Sequence, residues 1–379
     1  MHRPALAVLI LSVSVYVLPA AADGPKKVTS DELIQIVAAE KSTPDADLAK
    51  KLTDLELTDR LSSLHLAELM KRLPGDKSRV EATVLADQSI FLQPSPGAIA
   101  VDAVPDAAST RQMLVKVVNY VNTIVRQLPN LMATRFTNGF EDRPREEKLT
   151  STGVESLDYL PLHWVGSLNM NVTYRDRQEV EDKSVKVEKK GNGVGGLMTS
   201  GEFGPVLSTV LADALKGKIT WARWEKSGDH TMAVFHYQVP ENNSNYHVQF
   251  CCVVDSFATD GTPDSKVFNE RSAYHGDIVF SPADGSIRLL TLEADLPTGG
   301  LVAGAGMAIE YTAIDIGGRS YICPIRSVSV LRAHTAQQTG AISRSNYRGP
   351  AKTFLNDVTF SNYRRFGSET RVLASAPEN

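Results

Sequence analysis

Few residues in this chain combine a reactive type with a useful spacing. His275 and Asp277 stand two apart on a stretch whose alternation predicts a β-strand, so their side chains share a face. They have the makings of an acid–base or metal pair, and equally of an ordinary surface polar pair. None of the eight histidines has a ligand spacing such as H-E-x-x-H. His236 and His247 fall on the wet faces of predicted strands. Gly191-Asn192-Gly193-Val194-Gly195-Gly196 reproduces G-x-G-x-x-G. However, a lysine-rich stretch, Lys183 to Lys190, precedes it, and Leu197-Met198-Thr199-Ser200-Gly201 follows without helical character. The strand and helix that a dinucleotide fingerprint requires are missing, so a surface loop is expected. No G-x-S-x-G elbow is present, and no S-x-x-K opens a helix. The expectation is a protein with no catalytic residue, no metal and no cofactor.

Three cysteines, Cys251, Cys252 and Cys323, are too few and of the wrong number for a stapled scaffold. Adjacent strand residues point to opposite faces, so at most one bridge, to Cys323, is expected, with small buried hydrophobes as the simpler reading. From Arg319 to Arg371 nine basic residues face two acidic ones, Asp357 and Glu369. That excess suits an anionic partner such as lipid head groups or an acidic protein face. It suits equally a wet strand face paired with Asp277, Asp284, Glu293, Asp295, Glu310 and Asp315.

The elements that must position these residues fall into two halves of different period. From Val28 to about Leu128 the pattern is helical. Thr58 or Asp59 is placed to cap a helix carrying Leu61, Leu64, Leu69 and Leu73 that Pro74-Gly75 stops. A second helix runs from Lys77 to about Gln88. A third, from Asp106 to Leu128, carries Met113, Leu114, Val117, Val118, Val121, Ile124, Val125 and Leu128 as one stripe. The Pro-punctuated segment 94–105 joins the last two.

After Pro129 the period becomes two. In His163–Arg175, Trp164, Leu168, Met170, Val172 and Tyr174 are expected on one face and Ser167, Asn169, Asn171, Thr173 and Arg175 on the other. Further strands are predicted over 219–225, 231–239, 246–254, 273–280, 287–294, 307–316, 321–331 and 358–363. The turns between many of them are short, which implies an antiparallel meander. One helix, Pro205 to Leu215, interrupts, with Pro at its start and Gly217 beyond its end. The fold class expected is α+β: a helical N-terminal region packed with a large, curved, mainly antiparallel sheet, half-barrel-like and covered by one helix.

The composition agrees with a globular chain. Of 379 residues, 42% are hydrophobic and 22% charged, and 40 Lys+Arg against 44 Asp+Glu leave a net charge of −4, which excludes a basic nucleic-acid binder. Residues 1–22 read as a secretory signal: Arg3, an apolar stretch from Ala5 to Leu18, and Ala20-Ala21-Ala22, with cleavage between Ala22 and Asp23. The organisation expected is therefore signal 1–22, helical region 23–130 and sheet domain 131–379 with its helix at 205–215. The location expected is periplasmic or secreted, without a transmembrane segment after cleavage.

Several strings resemble one family taken together: Leu128-Pro129-Asn130, Ala133-Thr134-Arg135, Phe140-Glu141-Asp142 and Ser200-Gly201-Glu202-Phe203-Gly204-Pro205. Tyr274-His275-Gly276-Asp277-Ile278, Ile316-Gly317-Gly318, Pro324-Ile325-Arg326-Ser327 and Tyr363-Arg364-Arg365-Phe366 complete the set. This combination resembles exported, uncharacterised proteins of the type found in Acidobacteria. From about residue 160 the sheet is also similar in architecture to the half-barrel of outer-membrane lipoprotein carriers and of the periplasmic sigma-factor regulator that shares their fold. That similarity implies an envelope protein with a concave apolar face able to hold a lipid or lipoprotein acyl chain. The side chains expected nearest that face are Trp164, Leu168, Met170, Trp221, Phe235, Tyr237 and Phe250, although any such sheet buries residues of this kind in its core. The alternatives are an envelope protein-interaction or stress-sensing module docking through the N-terminal helices, or an enzyme using His275 and Asp277.

Overall fold

The computed structural model describes residues 25–150, 153–176, 178–181, 186–189, 194–257, 263–336 and 348–365. The expected signal and its Ala22–Asp23 site, and the first half of the glycine motif, lie outside these residues.

The first part of the chain builds its own small core. β1 (Lys26–Val28) pairs in parallel with β2 (Leu55–Leu57), and α1 (Ser30–Ala39), α2 (Asp45–Thr53), α3 (Ser63–Met70) and α4 (Asp76–Ser89) pack around Leu33, Leu48, Leu52, Leu61, Leu69 and Leu85. A reciprocal capping box starts α1: the Glu32 amide donates to Thr29 Oγ1 at 3.2 Å and the Thr29 amide to Glu32 Oε2 at 2.8 Å. The cap of α3 is Ser62, not Thr58 or Asp59, and its hydroxyl oxygen accepts from the His65 amide. Asp59 has a longer-range role, accepting from the Ser30 amide at 2.7 Å. Consequently Leu61 lies ahead of the helix rather than on it, and Leu64 is exposed.

α5 (Ala107–Gln127) starts where expected, with Asp106 accepting from the Ser109 amide at 2.7 Å. It leads into β3 (Leu131–Arg143), which has no counterpart among the predicted strands. The hairpin β4 (Glu146–Thr150) and β5 (Gly153–Leu157) precedes β6 (Leu160–Arg175), β7 (Gln178–Glu181) and β8 (Lys186–Lys189). After α6 (Pro205–Lys216) come β9 (Lys218–Ser227), β10 (His230–Val239), β11 (His247–Phe257), β12 (Pro263–Arg271), β13 (Ala273–Phe280), β14 (Ile287–Asp295), β15 (Val302–Asp315), β16 (Ser320–Ala336) and β17 (Arg348–Arg365).

Eleven strands form one open antiparallel sheet in the order β7-β6-β3-β17-β16-β15-β14-β13-β10-β9, with β8 also on β6. Two hairpins leave the sheet, β4–β5 between β3 and β6 and β11–β12 between β10 and β13. The last strand, β17, inserts between β16 and β3, so the end of the chain joins the two halves of the sheet.

Both faces of the sheet are covered. The inner face carries α5 and α6, whose Met113, Val117 and Val121, and Leu207, Val210 and Leu211, pack on Phe235, Tyr237, Phe280 and Leu292. α5 is thus a second cover beside the single helix expected. The outer face receives α4, with Val84 and Ile90 against Phe140, Ala308, Val328 and Leu355. Ion pairs reinforce this contact. Arg326 Nε lies 2.8 Å from Asp357 Oδ1, and its guanidinium also reaches the fully buried Asp87 of α4. Of the acids expected opposite the basic segment, Glu310 lies 3.7 Å from Arg326; the other partners are Asp357 and Asp87 for Arg326 and Glu141, 2.8 Å away, for Lys352.

Two expectations need correction. A bulge in β6 pairs Gly139 with Gly166 but Phe140 with Trp164, inverting the face that follows from strict alternation. Trp164 therefore joins the outer cluster, while Met170, Val172 and Tyr174 stay inside. Cys323 is a free, buried side chain, as the simpler reading has it, with its thiol pushed up to about 12 by burial, and the alternative bridge to it is not formed. Cys251 is exposed and disulfide-bonded, not a buried hydrophobe.

Candidate functional site: a groove beneath the sheet helix

The segment leading into α6 has no regular structure and must be pinned by side chains. Gly201 (φ +90°) and Gly204 (φ +155°) take backbone conformations closed to most residues, which lets Pro205 start the helix tightly. Glu179 of β7 accepts from the Gly201 amide at 2.8 Å and the Phe203 amide at 2.7 Å. Arg135 of β3, almost fully buried, reaches Thr199 Oγ1 at 3.1 Å and Glu202 Oε1 at 3.6 Å, and Thr199 donates to the same carboxylate. Tyr311 donates to the Glu202 carbonyl at 3.1 Å.

The fully buried Glu202 thus pairs with Arg135, and the half-buried Glu179 lies in the field of both. Burial first, and the Glu202 charge second, push Glu179 up to about 7, against the amide hydrogen bonds and Arg135 that favour its ionised form. These contacts account for Ser200-Gly201-Glu202-Phe203-Gly204-Pro205: glycines for the turn, Glu202 for the ion cluster, and Phe203 for the core beside Tyr174 and Phe360.

The pinned segment forms one wall of a groove of about 340 Å³. Leu197, Met198, Thr199 and Ser200 make that wall, and Pro205, Val206, Thr209 and Val210 of α6 the roof. Tyr274, Leu292 and Met307 of the sheet make the floor, and Asn245, Tyr246, His247 and Gln249 at the root of the β11–β12 hairpin the far wall. No Asp, Glu, Lys or Arg lines it. The roof is tied to floor and hairpin through Asp213 of α6, which is fully buried. It accepts from Asn245 N at 2.7 Å, Asn245 Nδ2 at 2.6 Å and Tyr274 Oη at 3.0 Å. Burial pushes the Tyr246 phenol up to about 12, so it is neutral at physiological pH. An uncharged groove with an apolar floor and hydroxyl and amide groups on its walls has the make-up of a small-molecule site, at the lower end of the usual size.

The seven side chains expected at the ligand face are dispersed. Trp221, Phe235 and Tyr237 sit in the main inner core: Trp221 packs on Trp224 at 4.6 Å, Phe235 stacks on Phe280 at 4.9 Å, and Tyr237 donates to the Thr291 carbonyl at 2.6 Å. Met170 lies in the core around Phe203, and Phe250 packs between the hairpin and the sheet, 5.6 Å from Phe354. Trp164 is on the opposite face, and Leu168 is half-buried between Thr137 of β3 and Val187 of β8. None of them lines the groove. Val206 and Val210 lie on the helix expected from Pro205 to Leu215, whereas Tyr246 and Tyr274 were accessible to sequence reasoning only as strand residues.

His275 and Asp277 lie on the outer face but do not pair with each other. His275 Nδ1 is 2.8 Å from Asp295 Oδ1, while Asp277 takes Arg223 Nη2 and His236 Nδ1, each at 2.8 Å. Each side chain finds its partners on other strands: Asp277 meets His236 directly opposite on β10 and Arg223 one strand further on β9, and His275 meets Asp295 diagonally across on β14. Among the described residues no group of three or more His, Cys, Asp or Glu is placed to hold a metal ion, and no helix is long and apolar enough to cross a membrane. The described part of the glycine motif, Val194 to Gly196, is half-buried against Phe354 and opens no helix. No protein-family model, curated protein or solved structure matches this chain.

Proposed function

We propose that the protein is an exported binding protein that holds an apolar ligand, a lipid or lipoprotein acyl chain, in the groove between α6 and the inner face of the sheet. The observation that carries this reading is a preformed groove of about 340 Å³ with an apolar floor and no formally charged residue in its lining. An alkyl chain gains from leaving water for such a surface, by roughly 0.8 kcal/mol per buried CH₂. A charged ligand would find no counter-ion there. On this reading the ligand lies beneath the helix, and the aromatic residues of the neighbouring core keep the sheet and its helices in fixed positions.

The test is saturable binding of a dansyl-labelled fatty acid to delipidated protein, with native mass spectrometry of the protein as purified. Val206, half-buried on the groove roof, is the position to fill. Val206→Trp is expected to weaken binding tenfold or more while leaving the thermal midpoint near that of the parent, a tenfold loss corresponding to about 1.4 kcal/mol. Absence of saturable binding together with absence of co-purified lipid overturns the reading.

A further inference from the structure

On the outer face, away from the groove, a second and larger concavity of about 760 Å³ opens at the ends of β9, β10 and β13. Its lining includes Lys216, Lys218, His236, His275, Gln238 and Asp295. The two imidazole rings are 6.0 Å apart, centre to centre. Each has its Nδ1 against a carboxylate: His236 on Asp277 Oδ1 and His275 on Asp295 Oδ1, both at 2.8 Å. A carboxylate at Nδ1 fixes the ring and keeps a proton on that nitrogen, leaving Nε2 as the variable atom. Nε2 is an acceptor in the neutral ring and a donor in the protonated one.

The charges behind the rings are arranged in a chain. Arg60 of the N-terminal helical part binds Glu225, Glu225 binds Arg223, and Arg223 binds Asp277. Glu293 lies 3.8 Å from His275 Nε2. Among the groups that line the cleft, pair with its rings or continue this chain, four cations (Arg60, Lys216, Lys218, Arg223) balance four carboxylates (Glu225, Asp277, Glu293, Asp295). The two imidazoles therefore set the sign of the cleft, neutral when both are neutral and +2 when both are protonated.

We infer that this cleft is a binding site for a tetrahedral oxyanion, a phosphoryl or sulfate group, held by His236 and His275 through Nε2 and by Lys216 and Lys218 at the mouth. Protonated rings offer two fixed, charged donors on one side of the cleft, and the lysines supply point charges whose flexible stems close on the anion. Because the rings are already oriented by Asp277 and Asp295, little ordering is needed when the anion arrives. The site shares only the last residue of α6, Lys216, with the helix that roofs the apolar groove and no lining residue with the groove, so it stands or falls independently of it.

The experiment is titration of the full chain with sodium sulfate, sodium phosphate and glycerol phosphate, observed through the imidazole resonances and by calorimetry. Sulfate keeps one charge across the range, so its affinity reports the protein's protonation alone. Sulfate is expected to move the His236 and His275 resonances together and to bind about tenfold or more tightly at pH 5.5 than at pH 8.5, since protonated imidazoles attract the anion and neutral ones do not. Comparison of sulfate with phosphate and glycerol phosphate at the same pH identifies the preferred group. His236→Gln/His275→Gln is expected to abolish the pH dependence, and Lys216→Ala/Lys218→Ala to weaken binding several-fold without moving the thermal midpoint. The inference is overturned if the two resonances do not respond to any of the three anions. Equal affinity at both pH values, or affinity unchanged in both double variants, overturns it as well.

Discussion

The two faces of the same sheet are held by opposite kinds of chemistry. On the inner face, α5 and α6 bury leucines, valines and aromatic rings against the strands, and contact is non-directional. On the outer face, the N-terminal helices add only a small apolar cluster and are located by ion pairs, Arg326 with Asp87 and Asp357, and Arg60 with Glu225. An apolar face tolerates a groove, because residues around a void lose packing but leave no charge unpaired. A face held by buried ions tolerates no missing partner. The uncharged, apolar-floored groove lies on the first kind of face, and the cleft lined by charged and titratable groups on the second.

The largest effect is expected at the outer junction. Arg326→Met leaves Asp87 and Asp357 buried without their cation and is expected to cost about 3–5 kcal/mol in urea unfolding, with much of it regained when Asp87→Asn and Asp357→Asn are added. If the triple change is no better than the single one, the outer face is not held by ion pairing. The inner face is expected to respond to lost volume instead. Leu211→Ala, on the buried side of α6, is expected to cost about 2–5 kcal/mol with an unchanged denaturant slope.

A third effect separates the two faces by pH. Glu179 takes up protons more readily in the folded chain, near pH 7, than at its ordinary carboxylate value of 4.5. The folded state then holds more protons than the unfolded one between these values, so this residue makes stability fall as pH rises from about 4.5 to 7, by on the order of 3 kcal/mol. Thermal midpoints measured across that window are expected to lose this decline in Glu179→Gln. The smallest effect is at the cap of α5: Asp106→Ala is expected to lower stability by about 1 kcal/mol, seen as a shift of a few degrees in the midpoint.

Much of the fold was legible along the chain because its signals are local. The stripe from Met113 to Ile124, the Asp106 cap, the Pro205 start and the alternation over 273–280 each depend on a few neighbouring residues and carry over into the structure. The failures are equally specific. Thr58 and Asp59 look like caps, but Asp59 is drawn to the Ser30 amide, 29 residues away. The strict period in β6 ignores a bulge, and one inserted residue sends Trp164 to the other face.

The site was the least legible part. Its floor comes from β13, β14 and β15, its roof from α6 and its far wall from a hairpin that leaves the meander, so no window of sequence contains it. His236 and His275 likewise come together only through the β10–β13 register, in which His236 faces Asp277.

By itself, the order of apolar and polar residues determined that helices precede a long antiparallel sheet, because backbone hydrogen bonding and side-chain periodicity operate over a turn or a pleat. Which strands became neighbours, where β17 entered, and which buried carboxylate met which cation were decided only by the tertiary structure. Those choices depend on pairings between residues far apart in the chain, whose energies exist only once the whole sheet has closed its register.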